Sequence, residues 1–145
     1  MFVGEFPYKV DEKGRIPIPP SFRHEFADGG YMTEGAEGCI AVYTVVRFEE
    51  IAGSLRTKGL PDADSRRIRR TLFSKASDVK LDGQGRVMLS SQLKGYAAIA
   101  DTAIVVGQDN YFEIWNPEKW QALSGQEQSP WQLLEKLDQK GQQTS

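Results

Sequence analysis

Two five-residue segments of this sequence, residues 11–15 and 82–86, share the pattern Asp-x-x-Gly-Arg. An aspartate side chain accepts hydrogen bonds from backbone amides in a turn, and glycine supplies the positive φ that a tight turn needs. Arginine reads guanine with two hydrogen bonds in the major groove of DNA. The pattern therefore predicts a turn that presents an arginine to an anion or to a base edge.

The residues of the two loops have separate expected roles. Arg15 and Arg86 are the candidate contacts to base edges or phosphates. Lys13 is a candidate phosphate contact, and its counterpart Gln84 can hydrogen-bond a base. The aspartates are expected to hold the loops rather than to face DNA, because a carboxylate near phosphate is repelled. The residues expected to shape the loops are Asp11, Gly14, Asp82 and Gly85.

One such loop on its own is more typical of a plain surface turn, in which the arginine forms an ion pair with the aspartate four residues earlier. Two copies in the same context favour a function instead. The copies belong to a longer repeat: residues 9–18 align with residues 80–89 at an offset of 71. The alignment continues through Phe22-Arg23 against Leu93-Lys94 and later through residues 40–43 against 112–115. We therefore expect two homologous halves.

Each half has the pattern of an α+β unit in which strands dominate. The alternating strand before the aspartate, the turn and the strand after Gly-Arg predict a hairpin-like unit. A short helix follows, beginning at Pro19-Pro20-Ser21 in the first half and at Ser90-Ser91 in the second, where serine is a good N-cap. Further strands and a short helix, entered at Phe48 or at Pro117, complete each half.

Composition divides the chain into four segments. Residues 1–55 and 77–121 are the two halves, and residues 56–76 connect them with a basic, amphipathic helix. Residues 122–145 are rich in Gln, Ser, Glu and Lys, which predicts a polar C-terminal tail with a short helix that frays after Gly141.

Basic residues are concentrated in the middle of the chain. The net charge is −2, which by itself argues against nucleic acid. Residues 1–55 carry a net charge of −4, residues 56–94 of +6 and residues 95–145 of −4. A local basic face is compatible with DNA binding when assembly brings several such faces together. Cations outside the loops that are expected to contact phosphate or a neighbouring subunit are Lys9, Lys80, Arg66, Arg67, Arg69 and Arg70.

Catalysis and metal binding have little support in the sequence. The chain has one cysteine, Cys39, and one histidine, His24, and no nucleophile triad or phosphate-cradling glycine loop stands out. No stretch approaches the roughly 18 apolar residues of a membrane span, and the start of the sequence lacks the features of a signal peptide. We therefore expect a cytoplasmic protein that is not an enzyme, carries no cofactor or metal and does not bind a membrane.

Several segments accompany the two loops: Met1-Phe2-Val3-Gly4-Glu5, Ile18-Pro19 after the first loop, the stretch from Arg66 to Ser74-Lys75-Ala76, and Phe112-Glu113-Ile114-Trp115. Together with the loops, these segments resemble the MraZ family over residues 1–121. Either loop alone would resemble only the broader AbrB-type superfamily. The pattern departs from the family at Ser90, where an apolar or proline-type helix entry is usual.

This resemblance implies a tandem, duplicated swapped-hairpin β-barrel fold, in which one chain carries both AbrB-like halves. It also implies homo-oligomeric rings and a cytoplasmic, nucleoid-associated location. The implied function is transcriptional regulation of the bacterial division and cell-wall gene cluster through repeated promoter boxes in double-stranded DNA. The family's DNA-contacting loop corresponds to Lys13, Arg15 and Arg86.

A second class of function competes with DNA binding. The acidic flanks and the low isoelectric point favour a ring-forming scaffold or adaptor that binds another protein and uses its Asp-Arg loops for subunit contacts. The duplicated arginine loops and the basic middle segment favour DNA.

Overall fold

The computed structural model describes residues 1–126 and 129–143. The strands are β1 (Glu5–Lys9), β2 (Arg15–Pro17), β3 (Gly30–Glu34), β4 (Ile40–Thr44), β5 (Ser77–Val79), β6 (Arg86–Met88), β7 (Thr102–Gly107) and β8 (Phe112–Trp115). The helices are α1 (Pro20–Arg23), α2 (Val45–Thr57), α3 (Asp62–Leu72), α4 (Ser91–Tyr96), α5 (Pro117–Gln126) and α6 (Pro130–Gln143).

The strands form two antiparallel sheets. Six strands pair in the order β1-β7-β8-β4-β3-β5, and β2 pairs with β6 in a separate two-stranded ribbon. A mixed fold with an antiparallel sheet agrees with the α+β expectation. Over the described chain the four longer helices together contain more residues than the strands, but two of them, α3 and α6, lie in the connecting segment and the C-terminal region rather than in either half. Strands do supply most of the largest fully buried side chains.

The two halves exchange their first strands. β1 of the first half pairs with β7 of the second, and β5 of the second half pairs with β3 of the first. The expected local hairpin is therefore wrong beyond the turn, since β1 and β2 pair with different partners. Pairing β2 with β6 sets Ile16 opposite Val87 on the buried side of the ribbon, where both side chains are at most 1% exposed. Exchange thus lets both halves close one core.

Aromatic rings from both halves meet in that core. Phe22 of α1 and Phe112 of β8 lie with ring centroids 5.4 Å apart, and Phe2 packs edge-on against both rings. Each large buried ring contributes about 1.5–3 kcal/mol relative to exposure. The halves are therefore stabilised together and hold the ribbon in a defined position.

The helix starts agree with the sequence. Pro20 is the first residue of α1, where the missing amide hydrogen costs nothing. Ser90 caps α4, and its hydroxyl accepts the Leu93 amide at 3.2 Å. The departure from the family pattern at Ser90 therefore leaves a normal helix start.

The C-terminal region is more helical than its composition predicts. α5 continues to Gln126, and α6 has fourteen residues and passes through Gly141 to Gln143, two residues past the point at which the helix was expected to fray. Pro130 suits the first turn of α6, and the Gln, Leu, Glu and Lys residues that follow are good helix formers. Within the described part of the chain, no helix has the length and apolarity to span a bilayer.

Candidate nucleic-acid interface

The first loop is a closed turn built around Asp11. The Asp11 amide donates to the Arg15 carbonyl at 3.0 Å, and the Gly14 amide donates to the Asp11 carbonyl at 2.9 Å. Asp11 Oδ1 accepts the amides of Lys13 at 3.0 Å and of Arg15 at 2.8 Å. Gly14 has φ 80°, which a residue with a side chain rarely adopts. The turn therefore depends on both the aspartate and the glycine.

The second loop repeats this arrangement. Asp82 Oδ1 accepts the amides of Gln84 at 2.9 Å and of Arg86 at 3.0 Å. The Gly85 amide donates to the Asp82 carbonyl at 3.0 Å, and Gly85 has φ 76°. The structure thus gives Asp11, Gly14, Asp82 and Gly85 the geometry expected of loop-shaping residues.

The ribbon of β2 and β6 joins the two loops. The Gly85 carbonyl accepts the Ile18 amide at 2.9 Å, and the Gly14 carbonyl accepts the Leu89 amide at 2.8 Å. Each loop is therefore bonded to the residue that directly follows the strand of the other half. This reciprocal pairing brings two segments that are 71 residues apart into one unit.

Both loop arginines lie on the outward side of the ribbon. Because side chains alternate along a strand, burial of Ile16 and Val87 turns Arg15 and Arg86 away from the core. The register places Arg15 opposite Met88 and Arg86 opposite Pro17. Met88 is 59% exposed, so the same side of the ribbon also offers an apolar side chain.

Carboxylates hold the arginine side chains. Arg15 Nε donates to Asp11 Oδ2 at 2.7 Å, and Arg86 Nε donates to Asp82 Oδ2 at 2.9 Å. Arg86 Nη1 also lies 3.7 Å from Asp11 Oδ2, so that Asp11 faces both guanidinium groups. The aspartates therefore aim the arginines as well as closing the turns.

The aspartates stay ionised under ordinary conditions. The backbone hydrogen bond from the Arg15 amide is the main cause that lowers the pKa of Asp11, and the Arg86 amide lowers the pKa of Asp82 in the same way. An ionised aspartate is the better hydrogen-bond acceptor for an arginine.

The remaining predicted residues lie in two places. Lys13 and Gln84 are exposed in the loops, and Lys9 and Lys80 are exposed shortly before them. The α3 arginines are also exposed, but α3 packs on the six-stranded sheet, where the hydroxyl of Thr33 in β3 donates to the carbonyl of Leu72 at 2.9 Å. This packing does not bring the α3 arginines to the loops; they are Arg66, Arg67, Arg69 and Arg70.

Two cations that the site prediction omitted lie against the loops. A Cβ placed on Gly85 would overlap the guanidinium of Arg23, and one placed on Gly14 would lie 3.6 Å from Lys94 Cδ. A signal was present in the sequence, since Arg23 and Lys94 occupy matching positions of the repeat. Which loop each one reaches depended on the exchange between halves.

The cysteine, a residue type that can serve catalysis, lies in the core of this protein. Cys39 is fully buried, and desolvation together with the nearby Glu113 carboxylate raises the pKa of its thiol. Within residues 1–126 and 129–143, no three His, Cys, Asp or Glu side chains are grouped so that they could hold a metal ion.

These features define a class of protein: a duplicated mixed α/β fold whose halves jointly present two arginine loops on one antiparallel ribbon. The sequence profile of the family described as MraZ protein, antitoxin-like, matches the chain twice, over residues 1–71 and 72–140. The chain belongs to the MraZ family.

Relatives match over most of their own length. The chain is 43% identical over 142 residues to a protein of Dehalococcoides mccartyi named transcriptional regulator MraZ, covering 96% of this chain and 99% of the relative. A protein of the same name from Thermomicrobium roseum is 39% identical over 84% of this chain and 86% of the relative. Another from Deinococcus radiodurans is 38% identical over 82% of this chain and 84% of the relative.

Proposed function

We propose that this protein is a sequence-specific DNA-binding transcriptional regulator. The observation that carries the proposal is the pair of arginines on the outward side of the β2–β6 ribbon, each aimed by an aspartate. The relatives are named as transcriptional regulators, which supports the same class of function.

The ribbon suits the major groove of B-DNA, which admits a two-stranded β-ribbon. Arg15 and Arg86 then read guanine edges, and Gln84 suits adenine. Their aspartates engage Nε, so the Nη groups of Arg15 and Nη2 of Arg86 are available to donate to DNA, whereas Nη1 of Arg86 also faces Asp11 Oδ2 at 3.7 Å. Lys13 contacts phosphate beside the first loop. Cations that act as further phosphate or subunit contacts are Lys9, Lys80, Arg66, Arg67, Arg69 and Arg70.

Assembly extends this recognition to repeated boxes. One chain offers only two arginine loops, which corresponds to the weak binding typical of few phosphate contacts. A homo-oligomeric ring repeats the loop pair around one rim, and tethering raises overall affinity by about 10²–10⁴. The strand exchange supports a swapped-hairpin barrel as the unit of that ring. The regulated genes are those of the bacterial division and cell-wall cluster, and the protein acts in the cytoplasm at the nucleoid.

The decisive experiment is a gel shift with DNA from upstream of the protein's own gene, repeated across salt concentrations. The unsubstituted protein should prefer that DNA to a scrambled duplex. The double substitution Arg15→Ala with Arg86→Ala should abolish the preference while circular dichroism stays native. Lys119→Ala is the matched control, because Lys119 lies beside Gly38 rather than beside either loop. Equal affinity of the double variant and the unsubstituted protein for the upstream DNA would reject the proposal.

A second experiment tests assembly. Light scattering should give a particle much larger than 16.2 kDa. Affinity should rise sharply from one promoter box to two, and a change of spacing by half a helical turn should remove most of the gain, because the second loop pair would face the wrong side of the duplex. A monomer that binds one box tightly would contradict the ring mechanism.

One observation favours the scaffold as a second candidate function. Helix α6 exposes four large apolar side chains, and exposed apolar surface of this kind commonly binds protein. Their exposure ranges from 46% to 73% for Leu133, Leu134, Leu137 and Trp131. A large particle whose DNA affinity is insensitive to both arginines would favour the scaffold.

A further inference from the structure

Arg23 and Lys94 lie at the loops of the opposite halves. Arg23 ends α1 of the first half, and its guanidinium packs against Gly85 in the second loop. Lys94 belongs to α4 of the second half, and its ammonium group would lie 3.8 Å from a Cβ placed on Gly14 in the first loop. Both glycines are buried. The same cross-half contact thus occurs twice.

Arg23 and Lys94 change the net charge beside the two loops. Residues 11–15 contain one lysine, one arginine and two carboxylates, and residues 82–86 contain one arginine and one carboxylate. The two loops together are therefore neutral. Arg23 and Lys94 add two positive charges beside them. Since phosphate neutralisation supplies most non-specific affinity, these two residues change a neutral ribbon tip into a cationic one.

Neither cation is neutralised by a carboxylate. The loop aspartates pair with Arg15 and Arg86, whereas in residues 1–126 and 129–143 no carboxylate oxygen lies within 4.0 Å of the Arg23 or Lys94 side-chain nitrogens. Arg23 Nε donates to the Ile18 carbonyl at 2.8 Å, which fixes the guanidinium and leaves its Nη groups as donors. Both side chains are half-buried, so their positions are restricted.

We propose that Arg23 and Lys94 form a pair of phosphate clamps, one beside each loop, that hold the DNA backbone while the loop arginines read the bases. This inference rests on the proposed function and adds two residues to it. The clamp of each loop belongs to the other half of the chain. Docking one loop therefore engages both halves, and the angle of the ribbon in the groove is set by the shared core.

Salt dependence separates a clamp from a base contact. Loss of one phosphate contact lowers the slope of log affinity against log salt by about 0.9 on any duplex sequence. We expect Lys94→Gln and Arg23→Gln each to lower the slope by that amount for every chain that contacts the DNA, on the upstream DNA and on a scrambled duplex alike. The double variant should lose about twice as much. When salt rises from about 50 to 200 mM, the affinity of each single variant then falls by a factor that is about 3.5 times smaller, for every contacting chain, than the fall for the unsubstituted protein.

Two controls keep the result interpretable. Lys119→Gln removes one cation away from the loops and should leave the slope unchanged. Arg23→Lys loses the Nε bond to Ile18 but keeps the charge, and it should retain the slope. Lys94→Gln removes no hydrogen bond described for that side chain, so it remains a test of the clamp even when Arg23→Gln lowers the melting temperature.

The outcomes distinguish this inference from the proposed function. Normal DNA binding with unchanged slopes in both glutamine variants would overturn the clamps alone. Loss of preference for the upstream DNA, with the slope retained, would instead make Arg23 and Lys94 base contacts and would also overturn the clamps. Absence of DNA binding by the unsubstituted protein would overturn both proposals.

Discussion

In both loops the aspartate accepts the amide two residues later and the arginine amide four residues later, at 2.8–3.0 Å. The tips differ: Glu12 and Lys13 occupy the first loop, where Gly83 and Gln84 occupy the second. The first aspartate also faces both arginines, whereas the second holds one. Duplication has therefore preserved the frame that aims each arginine while the residues at the tip have diverged, so that one ribbon carries two loops with different tips.

Because the two loops share one frame, Arg15 and Arg86 should contribute similarly to DNA binding. Arg15→Ala and Arg86→Ala should each weaken binding to the upstream DNA by about 1–3 kcal/mol, because each removes one bidentate base contact. Fluorescence anisotropy at fixed salt measures the losses, and thermal unfolding checks the fold. A loss confined to one variant would show that only one loop reads DNA.

Because their side-chain environments differ, replacing Gly14 and Gly85 by alanine should cost different amounts of stability. Alanine at either position adopts a left-handed conformation that costs about 1–2 kcal/mol. At Gly85 the new Cβ also overlaps Arg23, which the Ile18 carbonyl tethers, whereas at Gly14 the closest atom is the Leu89 carbonyl oxygen at 3.3 Å. Urea unfolding should therefore show a larger loss of stability for Gly85→Ala than for Gly14→Ala.

Adding Arg23→Ala to Gly85→Ala gives the matched control for this difference. That substitution removes the overlapping guanidinium, so it should bring the cost of the Gly85 variant, measured in an Arg23→Ala background, close to the cost at Gly14. Equal stability losses in the two original single variants would mean that Arg23 does not restrict the second loop.

Exchange of the tip residues should change salt dependence in opposite directions. Lys13→Gln gives the first loop the glutamine of the second and should lower the salt slope by about 0.9 for every chain that contacts the DNA, and Gln84→Lys should raise it by about the same amount. The double exchange should restore the slope while changing the preferred base beside the second loop, since glutamine favours adenine. Identical salt slopes in the unsubstituted protein and the two single variants would place both tips away from the DNA.

Acid should expose the difference between the two aspartates. A carboxyl whose pKa is lowered in the folded protein stabilises it above the unfolded pKa of about 3.9 and loses that effect as the pH falls through the folded pKa. The melting temperatures of Asp11→Asn and Asp82→Asn should lie below that of the unsubstituted protein at pH 6. Both differences should narrow below about pH 4, with the larger change for Asp11. If the differences in melting temperature stayed constant from pH 6 to below about pH 4, the charge of the carboxylates would not explain them.

The sequence by itself determined the parts of the site that depend on neighbouring residues. The Asp-to-Arg turns close within five residues, and Pro20 and Ser90 mark the starts of α1 and α4, because backbone preference and capping act locally. The repeat also identified the family. Local composition was less informative at the C-terminus, where a polar, Gln-rich stretch forms the fourteen-residue α6.

Only the tertiary structure decided which strands of the two halves pair with each other. β2 pairs with β6, β1 with β7 and β5 with β3 across long sequence separations, and a strand's alternating pattern shows which side is buried without naming its neighbour. The placement of Arg23 at the second loop and Lys94 at the first follows from that exchange. The physical reason is that a half cannot bury its own apolar ribbon face, so Ile16 and Val87 meet in a core that both halves build.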